Sequence, residues 1–357
     1  MSIDFSHIRN IEITGDVSIK PLPDKHAFRE PFEMIMSELM GPTGAGKSTF
    51  IEALGKDHSL GISKDQLEGY TQKISAYELI NAKWRRRENP NPPETIYLLD
   101  TPGFSDSKLS EMEIVLMLND WMKAHKIRRI EAVIYACPIT ATRIPRSKRR
   151  TIEMLQSLAR INENNNLTAI SIATTMWNTV WNDQQRQRAN NHFRQLQDDI
   201  WKDLTNRGGQ VMKFTNTQVS ALEIVDATMG DGRKFLALGG PVSMSGDRDY
   251  IPDLYQELLE RIEETQQKIT ATESELSLPE TQENDELKDV LEATLKEQNE
   301  LLAKFRSQLI DFGDPPAGFG HVVIPWHNLS KLGRVRQGYH LAKSKGKKFI
   351  TFGRHGE

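Results

Sequence analysis

The chain has 357 residues, 38% hydrophobic and 27% charged, with a formal net charge of −3. That length predicts one main domain with an appendage, and the near-neutral balance makes no electrostatic case for nucleic acid as a partner. A single cysteine, Cys137, excludes an intramolecular disulfide framework, and no run approaches the roughly 18 apolar residues of a membrane helix.

Residues 1–33 are polar and turn-rich, with Pro21, Pro23 and Pro31, and read as an N-terminal extension without an assigned role. Asp4, His7, Arg9, Glu12 and Asp16 leave no apolar run of a secretory signal, so a cytoplasmic location is expected. Between Met34 and Met229 short apolar runs alternate with longer amphipathic stretches, as in an α/β sheet with crossover helices. Strands are predicted at Met34–Met40, Thr95–Leu99, Glu131–Cys137, Leu167–Thr174 and Val211–Phe214. Helices are predicted at Lys47–Lys56, Glu111–His125, Lys148–Ile161 and Asp183–Thr205. Residues 73–87 read as one further strand running into a basic loop, which the prolines at 90, 92 and 93 keep out of a sheet centre.

Beyond Gly246 the pattern changes. Leu254, Leu258, Ile262 and Ile269 recur at helical spacing, Pro279 interrupts them, and Leu287, Val290, Leu291, Leu295, Leu302, Phe305 and Leu309 resume. This predicts a helical hairpin or short coiled coil over residues 246–311, following a main domain over 34–245. Residues 251–311 hold 16 acidic and 6 basic side chains, whereas the tail at 312–357 is basic from Lys331 onward. Glycines 333, 338, 346 and 353 argue against a continuous amphipathic helix in that tail, which is not expected to anchor to lipid by itself.

The chemistry is concentrated at Gly41-Pro-Thr-Gly-Ala-Gly-Lys47-Ser48, which fits G-x-x-x-x-G-K-[ST] at every fixed position. Glycines let the backbone turn sharply and approach phosphate without a Cβ in the way. Successive amides of Thr43, Gly44, Ala45, Gly46 and the first helical residues, Thr49 included, then form an anion nest at a helix N-terminus. Lys47 is expected to reach the β- and γ-phosphates, and the Ser48 hydroxyl to ligate Mg²⁺. The second piece is Asp100-Thr-Pro-Gly103, directly after Ile96–Leu99. A carboxylate there, at the carboxyl end of a parallel strand, can hold Mg²⁺ through water, and the Gly103 amide can sense the γ-phosphate.

Together, Gly-Pro-Thr-Gly-Ala-Gly-Lys-Ser-Thr and Asp-Thr-Pro-Gly-Phe resemble the septin-like G domains, which include immunity-associated GTPases and chloroplast outer-envelope import receptors. The resemblance spans Met34–Met229. It implies a three-layer α/β P-loop fold, GTP with Mg²⁺ as ligand, and a first-switch threonine on the metal. Thr71 is similar to that threonine. The family's guanine-reading N/T-K-x-D aligns with Thr175-Met176-Trp177-Asn178, so Met176 replaces lysine and Asn178 replaces the aspartate that accepts both guanine donors. Ser220-Ala221 resembles the last base-contacting motif, with Leu222 where lysine often follows.

Phe104 occupies the position at which small GTPases orient water with glutamine, so slow intrinsic hydrolysis is expected. The basic stretch Arg143, Arg146, Lys148, Arg149 and Arg150 is a candidate source of an arginine acting in trans. The sequence therefore predicts a GTP/GDP switch or assembly module with a possible homo-oligomeric or protein partner. A non-hydrolysing scaffold and a P-loop ATPase remain as alternatives.

Overall fold

The computed structural model describes residues 7–24, 26, 28, 34–57, 60, 71–85, 92–103, 106–127, 130–140, 170–230, 251–312, 315, 316 and 319. The predicted helix Lys148–Ile161, the basic stretch at 143–150, Phe104, residues 167–169 and the tail at 328–357 lie outside them. The chain divides into two compact units, residues 1–109 with 113–243, and residues 110–112 with 244–357.

In the first unit seven strands form one sheet: β1 (Ile11–Pro21), β2 (Met34–Met40), β3 (Ser75–Trp84), β4 (Glu94–Asp100), β5 (Ala132–Pro138), β6 (Ile170–Thr175) and β7 (Gln210–Lys213). Their order is β1-β3-β4-β2-β5-β6-β7. The block β4-β2-β5-β6-β7 is parallel, whereas β3 runs antiparallel to β4 and to β1. Parallel neighbours require crossovers; α1 (Lys47–Gly55), α2 (Glu111–Ala124), α3 (Asp183–Gln195) and α4 (Lys202–Asn206) lie between strands, and α5 (Gln218–Met229) follows β7. One core gathers Leu39, Phe50, Ile51, Leu54, Leu98, Ile134, Ala173, Phe214, Leu222 and Val225. Within it the Phe50 and Phe214 rings lie 4.9 Å apart.

Helix α5 has no counterpart in the sequence expectation, and two further elements differ from it. Residues 11–21, read as part of an unassigned extension, are an edge strand of this sheet. Asp226 of α5 holds its start, its carboxylate accepting the amides of Arg9, Asn10 and Ile11 at 3.0, 2.6 and 2.9 Å. The strand bulges between Ile13 and Ser18, where Asn81, itself at φ 60°, donates its side-chain amide to Asp16 O. The second difference is in the helix predicted over Asp183–Thr205. It passes through a π turn at Leu196–Ile200 and breaks at Trp201, a large side chain drawn into the interior at 1% exposure.

The second unit is a hairpin of α6 (Ile251–Leu276) and α8 (Asp285–Phe312), joined through the short α7 (Pro279–Gln282), which has Pro279 at its first turn. Leu254, Leu258 and Ile269 on α6 and Leu302, Phe305 and Leu309 on α8 are buried, while Leu287 and Val290 remain exposed. Arg306 bridges the helices to Gln266 at 3.0 Å, and Arg261 lies over the Phe305 ring while pairing with Glu257. No helix among the described residues is long and apolar enough to cross a membrane.

Candidate nucleotide-phosphate site

Register places the site. Leu39 of β2 pairs with Asp100 of β4 and Met40 with Tyr135 of β5, so the loop leaving β2 emerges level with the Asp100 carboxylate. That loop turns through Gly41 at φ 139°, Gly44 at 74° and Gly46 at 89°, and α1 begins at Lys47. Gly41 is required twice over, because a Cβ there would also stand 2.5 Å from Ala136 O. Gly46 caps α1 without a side chain, leaving the first helical amides for an anion.

Lys47 is 6% exposed and its ammonium donates to Gly41 O at 3.1 Å and Pro42 O at 3.2 Å. Burial lowers its pKa to about 8, opposed by the charges of Asp100 and Asp106. Ser48 Oγ donates to Asp100 Oδ2 at 3.0 Å, Thr71 Oγ1 donates to the same oxygen at 3.4 Å, and the two hydroxyls lie 3.5 Å apart. The three residues expected to share a metal are therefore in mutual contact. Asp100 is 2% exposed, and its second oxygen, Oδ1, has no hydrogen-bond partner among the described residues. Burial raises the Asp100 pKa, while Lys47, Ser48 and Thr71 favour its charged form. One carboxylate and two hydroxyls, with a buried oxygen left unsatisfied, suit a hard divalent cation that takes its other ligands from water and phosphate. Mg²⁺ fits this donor set.

The loop after β4 presses on the phosphate loop. Thr101 Oγ1 donates to Leu39 O at 2.8 Å. A Cβ on Gly103 would overlap the Thr43 backbone nitrogen and hydroxyl, so only glycine permits this approach. Further on, Asp106 Oδ2 accepts the Thr43 hydroxyl at 3.0 Å.

Residues 175–178, expected on the base side, lie at the end of β6 and directly after it. Thr175 is buried at the end of β6 and donates its hydroxyl to Ala45 O at 2.8 Å, so it ties β6 to the phosphate loop. Met176 takes the left-handed conformation at φ 64°, and its sulfur accepts Thr140 Oγ1 at 3.7 Å. Asn178 is exposed in a single 3₁₀ turn, Trp177–Thr179, that is pinned by Trp177 Nε1 donating to Thr174 O. Lys213 Nζ lies 4.3 Å over the Trp177 ring, so this tryptophan packs against β7.

Ser220 and Ala221 sit away from the strand end. Both lie inside α5: Ala221 is fully buried in the core, and Ser220 Oγ completes a capping box with Thr217. The residues presented between β7 and α5 are instead Thr215–Thr217, with Asn216 left-handed at φ 57°. Ser220 shapes that turn by accepting the Thr215 amide at 3.2 Å. A polar residue just before a capping threonine was the available sequence signal for Asn216.

With this geometry in place, residues 38–175 match a family model described as "50S ribosome-binding GTPase". The fold is a G domain. The match supports guanine-nucleotide binding by the segment that carries Lys47, Ser48, Asp100 and Thr175. No curated protein sequence matches the chain. Among solved structures, one described as "LeoA bacterial dynamin GTPase from ETEC" is similar at 12% identity and a TM-score of 0.33, over 87% of this chain and 57% of that one. The chain thus spans a little over half the length of that structure.

Proposed function

We propose that this G domain binds GTP with Mg²⁺ through Gly41–Thr49 and works as a slow GTPase whose nucleotide state switches partner binding or assembly. The observation that carries the reading is the convergence of Ser48, Thr71 and Asp100, which are remote in sequence and lie within 3.5 Å of one another beside Lys47. Lys47 neutralises terminal phosphate charge, the Gly44–Ser48 amides hold the phosphate chain, and the Gly103 amide faces the γ-phosphate side of the loop. Bound Mg²⁺ supplies charge neutralisation across the β- and γ-phosphates. Ordering of the Thr71 and Gly103 loops by the triphosphate changes the surface offered to a protein partner or second copy, and hydrolysis to GDP resets it. The septin-like phosphate motifs and the mixed charge favour a cytoplasmic protein working on protein partners. The hairpin is a second surface for such pairing.

A non-hydrolysing scaffold is the competing reading, favoured by the exposed Asn178 and by Phe104 in place of glutamine. A P-loop ATPase is disfavoured by the Thr71–Asp100 arrangement. Calorimetric titration of the full chain with GTP, ATP and XTP, alongside Lys47→Ala, tests the proposal. GTP is expected to bind most tightly, and Lys47→Ala to abolish binding without loss of helical circular dichroism. Unchanged GTP affinity in the variant refutes the site. Phosphate release from GTP separates the slow enzyme from the scaffold.

A further inference from the structure

Asp106 is not among the residues expected to hold phosphate or metal, yet its hydrogen bond reaches the exposed rim of the phosphate loop. Its two oxygens face different structures. Oδ2 accepts the hydroxyl of Thr43, the third residue of that loop, at 3.0 Å, and Oδ1 accepts the amides of Lys108 and Leu109 at 2.8 and 3.2 Å. One carboxylate therefore fastens the phosphate loop to the turn that leads into α2. Beside this tie, Gly103 packs on the same Thr43 so closely that a side chain would not fit. The Asp106 charge also reaches Lys47, the ammonium on which a terminal phosphate depends.

We infer that Asp106 sets the preference between nucleoside diphosphate and triphosphate, its tie to Thr43 holding while the terminal phosphate is absent and being opposed by like charge when that phosphate arrives. The inference rests on the proposed nucleotide site. Two physical arguments carry it. Asp106, held at Thr43, and a γ-phosphate are like charges beside one short stretch of backbone, so each weakens the other, and the Lys47 ammonium attracts both. A diphosphate ends deeper in the nest of loop amides and adds no charge at the rim beside Thr43 and Gly103. Because Oδ1 continues to cap the turn at 107–109, displacement of Oδ2 moves that turn with it. The terminal phosphate thereby gains a mechanical lever on the start of α2.

The test is calorimetric titration of the full chain, with Mg²⁺, against GDP and a non-hydrolysable GTP analogue, in wild type, Asp106→Asn and Thr43→Val. Asp106→Asn removes the charge and is expected to tighten the triphosphate analogue by about tenfold while GDP affinity stays within about twofold. Thr43→Val removes the tie and keeps the charge, so its gain in triphosphate preference is smaller, about two- to threefold. A merely structural role moves both nucleotides together, so an unchanged GDP-to-analogue ratio in Asp106→Asn overturns the inference and leaves the nucleotide site standing. If Asp106→Asn fails to fold, the Thr43→Val ratio decides by itself, and no change there overturns the inference. Wild type that binds neither nucleotide overturns the proposed function, and this inference with it.

Discussion

Thr175 donates its hydroxyl to Ala45 O at 2.8 Å, so the end of β6 and the middle of the phosphate loop are joined by one buried hydrogen bond. The bond links the strand that leads to the base-side turn with the loop that holds phosphate. Thr175→Val keeps the shape and leaves Ala45 O without its donor. We expect it to weaken GTP and GDP alike by about 1–2 kcal/mol, read by calorimetry. Equal affinity in the variant would show that the loop keeps its form without the tie.

The metal site makes a sharper demand. Asp100 Oδ2 accepts from both Ser48 and Thr71, while Oδ1 is buried without a hydrogen-bond partner among the described residues. Chelation by EDTA is expected to weaken triphosphate binding by at least about tenfold, and Ser48→Ala and Asp100→Asn to make the residual affinity insensitive to Mg²⁺. Triphosphate binding that ignores EDTA in wild type removes Ser48, Thr71 and Asp100 from metal duty.

Base choice separates two turns. In the proposed site Asn178 would offer an amide where guanine asks for a two-fold acceptor, and Asn216 lies in the turn between β7 and α5. Asn178→Asp is expected to raise the GTP-to-XTP affinity ratio by about tenfold, because a carboxylate accepts both guanine donors. Asn216→Ala is expected to weaken GTP by about 1 kcal/mol, whereas Ala221→Ser, a change in the helix core, should cost folding stability and leave the GTP-to-XTP ratio alone. A ratio that ignores Asn178→Asp places base reading elsewhere.

Glu38, on β2, gives a pH-dependent stability. It is fully buried, and neither carboxyl oxygen has a hydrogen-bond partner among the described residues. Burial pushes its pKa from 4.5 up to about 8. The folded chain therefore holds a proton that the unfolded chain releases above pH 4.5, so this group's contribution is whole below that pH and is lost as pH rises toward about 8. Glu38→Gln removes the titration. Its stability advantage over wild type should grow between pH 5 and pH 8 by roughly 2–4 kcal/mol in urea denaturation. A difference that stays constant across that range would assign Glu38 a charged partner.

The phosphate loop and Asp100 were legible in the sequence because backbone geometry admits so few residues there. Gly41 and Gly46 answer to positive φ, and Asp100 to its place at a strand end. Thr71 was legible only through family resemblance, since a lone threonine in a loop carries no local signal. The edge strand β1 escaped notice for a physical reason. Ile11, Ile13, Val17 and Ile19 do alternate, but the bulge around Gly15 and Asp16 breaks the period and imitates a turn. The helical setting of Ser220-Ala221 was not legible because a dipeptide says nothing about where a helix begins, and Thr217 with its capping box begins α5 before them. The π turn before Trp201 escaped because helical periodicity continues through it until tertiary packing claims the indole.

The carboxylate that fixes β1 lies 216 positions beyond Asn10. During synthesis the N-terminal segment thus leaves the ribosome long before its antiparallel neighbour at 75–84 or its anchor in α5 exists. Strand β1 can pair with that neighbour once residue 84 is made, but the carboxylate that holds residues 9–11 becomes available only after α5 has been translated. Pairing over such a distance slows assembly, since a long loop must close before its contacts repay the lost freedom. A chain interrupted before Asp226 lacks the acceptor for the Arg9, Asn10 and Ile11 amides.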